Sequence, residues 1–419
     1  YTSETRFSYV KPSGKINSRA GVNTVFNTNN PDCHKVMPLI NAAGFGGARN
    51  DISWTSVEAA EGEYAIRTAL QDFITKANEL DVDVLAIGGG NNPLYTENEG
   101  GYPSVSDTAA MAALKEYYRQ MASMLSDKVE YFEVINEPNH KMTADDYTVY
   151  LKNAYEGIKA GNHAAKVIGV VSGPEDTSFF EAVFRSGGGE YMDIVSCHPY
   201  YYNASPDTNE HSWIGKIKNI KTLMAKYGVS KPIWLTEVNL YQTGTYDPAA
   251  YTDEKYAEYL TRAFIINEAE NAADKVYLYN FKNDGTDTEE QEHNFGIVEA
   301  GMGNSGLRYA AKPGYLAMSN YNAMMTNAKY VSVLSDTDAE RVYRFKAEDG
   351  ADLYAAWSNT GSGTLEISAA KAVLYDMYGN ETVMTADSSG KISVALGEKT
   401  VYLKTNFISI FDSDGNTIT

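Results

Sequence analysis

The sequence predicts an α/β chain in which an eight-fold (β/α) barrel is followed by a small C-terminal all-β sandwich. Three observations carry this expectation. Eight short apolar or β-branched runs recur along the first three quarters of the chain, helical patterns separate them, and closely spaced alternating strands take over near residue 328. Alternating β and α segments imply a parallel sheet, and eight such units close a barrel. The 419 residues exceed the roughly 250 that one barrel uses, so a second module is expected.

The eight runs lie near Gly21 to Phe26, Gly46 to Arg49, Val82 to Ile87, Val129 to Ile135, Ala165 to Val171, Met192 to Cys197, Pro232 to Thr236 and Lys275 to Asn280. Each ends in or beside Gly, Asn, Asp or Pro, residues that stop a strand and begin a turn. Between them Ala109 to Leu125, Ala144 to Ala160, Ile214 to Tyr227 and Asp253 to Ala269 repeat apolar residues at three-to-four spacing, the period of a helix packed on one face. Seven later runs alternate at period two: Tyr330 to Leu334, Arg341 to Phe345, Leu353 to Trp357, Thr364 to Ile367, Val373 to Met377, Lys391 to Val394 and Val401 to Lys404. The expected division is therefore a barrel over 1–327, a β-sandwich over 328–405 and a tail over 406–419. Residues 1–20 form an extension expected to pack on the β domain. In the tail, Asp412-Ser413-Asp414-Gly415-Asn416 is expected to be a plain turn, since it lacks the later ligands of a calcium loop.

Composition narrows the function. A net charge of -20 repels phosphate backbones and anionic lipid, so neither nucleic acid nor a membrane surface is an expected partner. No run approaches the roughly 18 apolar residues of a membrane span. A neutral substrate suits the charge. The 32 tyrosines suit it too, because a ring with a polar tip both stacks on a sugar face and hydrogen-bonds its hydroxyls. The chain opens on Tyr1 instead of Met, which fits a secreted or cell-surface protein whose signal segment has been removed. Cys33 and Cys197 stand far apart, and the six histidines occur singly, so no disulfide framework, metal site or cofactor is implied. A monomer is the expected state.

Chemistry in such a barrel sits where the strands end at their C-terminal side. The fourth run ends in Asn136-Glu137-Pro138-Asn139-His140 and the seventh in Thr236-Glu237-Val238-Asn239. Both place a glutamate directly after an apolar run, where a carboxylate is otherwise disfavoured. Strands four and seven face each other across the mouth, and two opposed carboxyls are what glycosidic cleavage requires. Asn-Glu-Pro and Thr-Glu at these places resemble clan A of the glycoside hydrolases, retaining enzymes on a TIM barrel, with family 39 and related endo-β-glucanase families the nearest. The resemblance covers roughly residues 20 to 325. It extends to Phe45-Gly46-Gly47-Ala48-Arg49-Asn50-Asp51-Ile52-Ser53-Trp54, to Ser196-Cys197-His198-Pro199-Tyr200, to Glu292-His293-Asn294-Phe295-Gly296 and to Lys312-Pro313-Gly314-Tyr315.

The resemblance implies that Glu137 is the general acid/base, Glu237 the nucleophile and Asn136 a donor to the sugar 2-hydroxyl. Arg49 would support the nucleophile; as a structural alternative it would pair with Glu133. His198 and Tyr200 would line the cleavage subsite. An acid needs a raised pKa and a nucleophile must stay ionised, so a cation beside Glu237 is expected. The family commonly ends strand eight with a tryptophan platform, whereas this chain has Tyr279 and Phe281, either of which would replace it. Trp54, His140, Tyr95, Tyr102, Tyr201, Tyr202, Trp213 and Tyr241 are further candidates for sugar contacts in the loops.

The leading function is hydrolysis of a neutral β-linked polysaccharide or oligosaccharide by double displacement, as an endo-acting β-glucanase. Xylan- or mannan-active and exo-acting enzymes of the same clan stand beside it. A non-catalytic carbohydrate-binding protein on this scaffold is a reading from another class, opposed by the presence of both carboxylates. A barrel lyase or aldolase would need a Schiff-base lysine or metal ligands at the strand ends, which the sequence does not offer.

Overall fold

The computed structural model describes residues 12–26, 32–98, 100–174, 177–200, 212–239, 252–287, 290–300, 308–405, 410–411 and 417–418. Eight parallel strands close a barrel: β1 Asn17–Asn23, β2 Phe45–Ile52, β3 Asp83–Gly88, β4 Tyr131–Val134, β5 Lys166–Ser172, β6 Ile194–Cys197, β7 Ile233–Val238 and β8 Lys275–Leu278. Closure comes from β1, which pairs with β8 at Ala20↔Val276 and with β2 at Val22↔Ala48.

The helices found by periodicity occupy Thr108–Met124, Ala144–Gly161, Ser212–Lys226 and Asp253–Glu270. Side-chain caps start three helices: Asp107 accepts from the amides of Ala109 and Ala110, Thr143 from Asp146 and Thr252 from Lys255. Cys33–Ala42, Thr68–Glu79, Thr177–Arg185 and Pro313–Met325 complete the described long helices.

Inside the barrel Leu85, Ile87, Ile168, Ile194, Trp234 and Tyr277 form a plug below the mouth. Tyr277 fits only because its neighbours lack side chains: a Cβ on Gly21 would stand 2.4 Å from its ring. This plug gives the mouth a dry floor, and the polar residues one layer higher therefore act in low dielectric.

Beyond the barrel, β9 Lys329–Asp336, β10 Glu340–Lys346, β11 Asp352–Ser358, β12 Gly363–Ser368, β13 Lys371–Tyr375, β14 Glu381–Thr385, β15 Lys391–Leu396 and β16 Val401–Thr405 follow. They form an antiparallel six-stranded sheet, ordered β9-β10-β11-β16-β13-β14, and a separate β12-β15 pair. Leu365, Ile367, Ile392, Val394 and Leu396 of the pair pack on Val342, Ala356 and Leu403 of the sheet. The sheet's other face, with Tyr343, Phe345, Leu353, Trp357 and Tyr402, joins the main barrel core. Polar contacts tie the same seam: Arg262 lies 5.7 Å from the Trp357 ring, and Asn320 donates to the Asp376 carbonyl at 3.0 Å. Strand β14 escaped the sequence reading because four of its five side chains are exposed, leaving no buried alternation to detect. The Asp412–Asn416 turn lies outside the described residues.

Candidate active site

The site is assembled from strand ends. In β2 alternate residues face inward, so Gly47 makes room for Tyr277 while Arg49 and Asp51 climb towards the mouth. In β4 the same alternation points Glu133 inward beneath Glu137. Strand β7 breaks the alternation: it carries one more residue between Leu235 and Val238 than β8 does between Val276 and Leu278. Such a bulge re-aims a side chain, and here Thr236 and the adjacent Glu237 both reach the interior.

Glu137 sits in a left-handed turn with φ 47°, flanked by Ile135 at φ 61°. A β-branched residue in that region is uncommon and costs backbone strain. Three contacts hold the turn. The Glu137 amide donates to the Val171 carbonyl at 3.1 Å, Pro138 starts a short 3-10 turn, and the Lys141 ammonium donates to the Asn136 carbonyl.

Arg49 is almost wholly buried and organises the floor. It donates to Glu237 Oε1 at 2.6 Å, to Asn23 Oδ1 at 2.7 Å, to Asn136 Oδ1 at 2.8 Å and through two nitrogens to Glu133. Burial opposes its charge, but Glu133 and Glu237 outweigh burial and hold it protonated. The two alternatives that the sequence left open for Arg49 thus coexist in one guanidinium. Because its Oδ1 accepts from Arg49, Asn136 keeps its amide nitrogen for the cavity.

The second Glu237 oxygen accepts from the Tyr200 hydroxyl at 2.5 Å. Burial raises the Tyr200 phenol well above its usual pKa, so it stays a neutral donor. His198 Nδ1 lies 3.1 Å from Glu137 Oε1 and 3.6 Å from Glu237 Oε2. An oxygen of each carboxylate and the His198 nitrogen all fall within 4.8 Å of one another. Among the described residues only these three groups approach closely enough to bracket an ion, and Arg49 already supplies the positive charge at Glu237. The His198 hydrogen bond holds Glu137 below the ordinary carboxylate range. This differs from the sequence expectation of a raised acid, because the nearby imidazole outweighs desolvation.

A cavity of about 470 Å³ opens above, lined by Asn136, Glu137, Tyr200, Glu237 and Tyr279 among others. Trp54, Phe281 and His140, proposed as sugar contacts, do not line it. Trp54 is buried between Tyr95 and Tyr117, with ring centroids 5.0 and 5.6 Å away, and its indole N–H donates to buried Glu58 at 2.6 Å. Phe281 is buried against Phe45 and Tyr315. Both were drawn to the site by position alone, but an aromatic at a strand end can turn outward into the helix layer. His140 is exposed beside Asn139 and does not line the cavity. Tyr102 is half-buried against Tyr150. Tyr201, Tyr202, Tyr241 and the Trp213 side chain lie outside the described residues.

Sequence reading missed Asn23, Thr24 and Asp284 at the cavity; Asp51, Glu292 and Phe295 also line it and lie in segments that carry the resemblance, though none was given a role there. The strand-end rule that singled out Glu137 reaches Asn23 and Asp51 as well. Asp284 follows β8 at a distance that no local pattern marks.

Residues 104–300 match the family described as "Glycosyl hydrolase catalytic core". No curated protein sequence matches the chain significantly. Among solved structures, a family 39 glycoside hydrolase from the gut symbiont Bacteroides cellulosilyticus superposes with TM-score 0.80 at 24% identity, over 96% of this chain and 83% of that one. A monomeric β-xylosidase from Caulobacter crescentus gives 0.66 at 13% identity, over 93% and 97%. A GH30 endoxylanase from Clostridium papyrosolvens gives 0.60 at 13%, over 95% and 98%. These structures share the fold, and the matched segment is similar to a glycosyl hydrolase catalytic core.

Proposed function

We propose that this protein is a retaining β-glycosidase in which Glu237 attacks the anomeric carbon and Glu137 first protonates the leaving oxygen and then activates water. The observation that carries the reading is the pair of opposed carboxylates with oxygens within 4.8 Å of each other. Retaining enzymes keep their carboxyl groups roughly 5 Å apart, whereas inverting ones leave space for an intervening water. Arg49 and Tyr200 each bond one Glu237 oxygen, which fixes the orientation of the nucleophile. Asn136 offers its free amide N–H to the sugar 2-hydroxyl, and Tyr279 lines the wall where a sugar platform is expected.

For substrate, we propose a neutral β-linked glycan cut internally, as by an endo-β-glucanase. Support for the neutral class comes from Asp51, Asp284 and Glu292, whose carboxylates line the cavity beside the two glutamates and oppose an anionic sugar. A xylose-based chain is the second reading, favoured by solved neighbours described as a β-xylosidase and an endoxylanase. Secretion remains part of the proposal, and among the described residues no helix is long and apolar enough to cross a membrane.

Proton NMR of early hydrolysis tests the mechanism. The first product should keep the β configuration, and an initial α anomer would overturn double displacement. A polysaccharide panel with product sizing separates glucan from xylan and internal from terminal cleavage.

A further inference from the structure

The carboxamide of Asn23, at the end of β1, sits beside the nucleophile's counter-ion and has no part in the reaction scheme above. It follows Gly21 by two residues, so alternation points it into the barrel on the side where Gly21 makes room for Tyr277. Asn23 is 3% exposed. Its nitrogen donates to the Thr236 carbonyl at 2.9 Å and to the Leu278 carbonyl at 3.3 Å, and its oxygen accepts from Arg49 Nη1 at 2.7 Å. The partners fix which end is which: turned over, the amide would set N–H groups against a guanidinium and its oxygen against two carbonyls. Both N–H groups are thereby committed, so Asn23 has no donor left for a sugar although it lines the cavity.

These contacts meet at the bulge. Between the pairs Val276↔Leu235 and Leu278↔Val238, Thr236 and Glu237 of β7 stand opposite Tyr277 alone. A bulge disrupts the ladder locally and bends the strand that carries it. Asn23 spans the disruption from β1, bonding Thr236 on the bulged strand and Leu278 on the regular one. The same side chain orients Arg49. Nε and Nη2 of that guanidinium face Glu133 and Asn136, whereas Nη1 serves two acceptors, Asn23 Oδ1 and, at 2.6 Å, Glu237 Oε1. One Nη1 hydrogen is therefore turned to each.

We infer that Asn23 is a positioning residue for the nucleophile: it braces the bulge that turns Glu237 into the mouth, and it aims the Arg49 nitrogen that bonds Glu237 Oε1. The inference rests on the assignment of Glu237 as nucleophile. The carboxylate is thus placed from two directions, through its own backbone and through its counter-ion. A carboxamide suits the task, because Asn and Gln alone carry two donors and an acceptor on one neutral planar group.

Hydrogen–deuterium exchange and trapping of the nucleophile test the two halves. In Asn23→Ala the amides of residues 233–239 should exchange roughly tenfold faster, the scale of one lost hydrogen bond, while those of residues 83–88 in β3 keep the parental rate. Dinitrophenyl 2-deoxy-2-fluoro-β-glucoside and the corresponding xyloside form a glycosyl-enzyme without help from an acid, so their inactivation rate reports the attack of Glu237 alone. That first-order rate should fall roughly tenfold in Asn23→Ala with the concentration for half-maximal rate unchanged, a split that loss of folded protein does not produce. Asn23→Asp keeps the acceptor for Arg49 and deletes both donors, and it should be slowed as well. A parental inactivation rate in either variant, or unchanged exchange over 233–239 in Asn23→Ala, overturns the inference. Mass spectrometry of the labelled parent separates it from the nucleophile reading: label on a residue other than Glu237 removes that assignment, and exchange over 233–239 decides the brace independently.

Discussion

Arg49→Met removes the one guanidinium that pairs with both Glu133 and Glu237 while keeping an unbranched stem of similar length. Glu133 is fully buried and Glu237 is 7% exposed, so neither stranded carboxylate can recover its hydration. Breaking a buried ion pair from one side costs about 3–5 kcal/mol. For 419 residues, an unfolding entropy of about 2.1 cal/mol/K per residue gives roughly 0.9 kcal/mol/K, so the melting temperature should fall by roughly 3–6 °C. Activity should fall independently, because Glu237 loses a charge-assisted hydrogen bond worth about 1.5–3 kcal/mol, or roughly 10–150-fold in rate. The two effects separate in a second variant. Adding Glu133→Gln to Arg49→Met removes one stranded charge and should return part of the melting temperature, but no activity, since Glu237 is still unsupported. Calorimetry and turnover of an aryl β-glycoside measure both. Parental melting temperature and turnover in Arg49→Met would refute the account of the floor.

Four other outcomes follow from the same geometry. Glu137→Ala should lose far more activity on a glycan than in glycosylation by a dinitrophenyl glycoside, whose leaving group needs no proton; equal single-turnover losses remove the acid role. Tyr200→Phe deletes the 2.5 Å donor to Glu237 and should slow turnover roughly 10- to 100-fold with little change in melting temperature. Trp54→Phe strands the Glu58 oxygen that its indole satisfies; stability should fall by about 1–3 kcal/mol while kcat and KM stay put, and a raised KM would return Trp54 to the substrate site. Because the folded state holds Glu137 below its ordinary carboxylate pKa, its contribution to stability is present above the unfolded value and lost as pH falls through the folded one. Glu137→Gln should therefore be less stable than the parent near neutral pH, with the gap closing on acidification in a series of chemical melts.

The sequence by itself determined the architecture, because barrel order is written in local signals. Period-two and period-3.6 patterns depend on each segment's own burial, and the strand ends carry Glu137 and Glu237 as the first charged residues after an apolar run. Arg49, Asn136, His198 and Tyr200 were singled out through the resemblance of their segments to clan A glycoside hydrolases. Tertiary structure alone decided which strand-end side chains turn inward. Trp54 and Phe281 sit at comparable positions along the chain, yet both pack into the core, one against Glu58 and two tyrosines, the other between Phe45 and Tyr315. The extra residue that brings Glu237 into the mouth is visible only against the register of β8. The lowered Glu137 reflects an imidazole 61 residues away in sequence, and Asp284 and Glu292, which follow β8, line the same cavity as the two glutamates. Such distances are set by closure of the whole barrel, so no window of the sequence contains them.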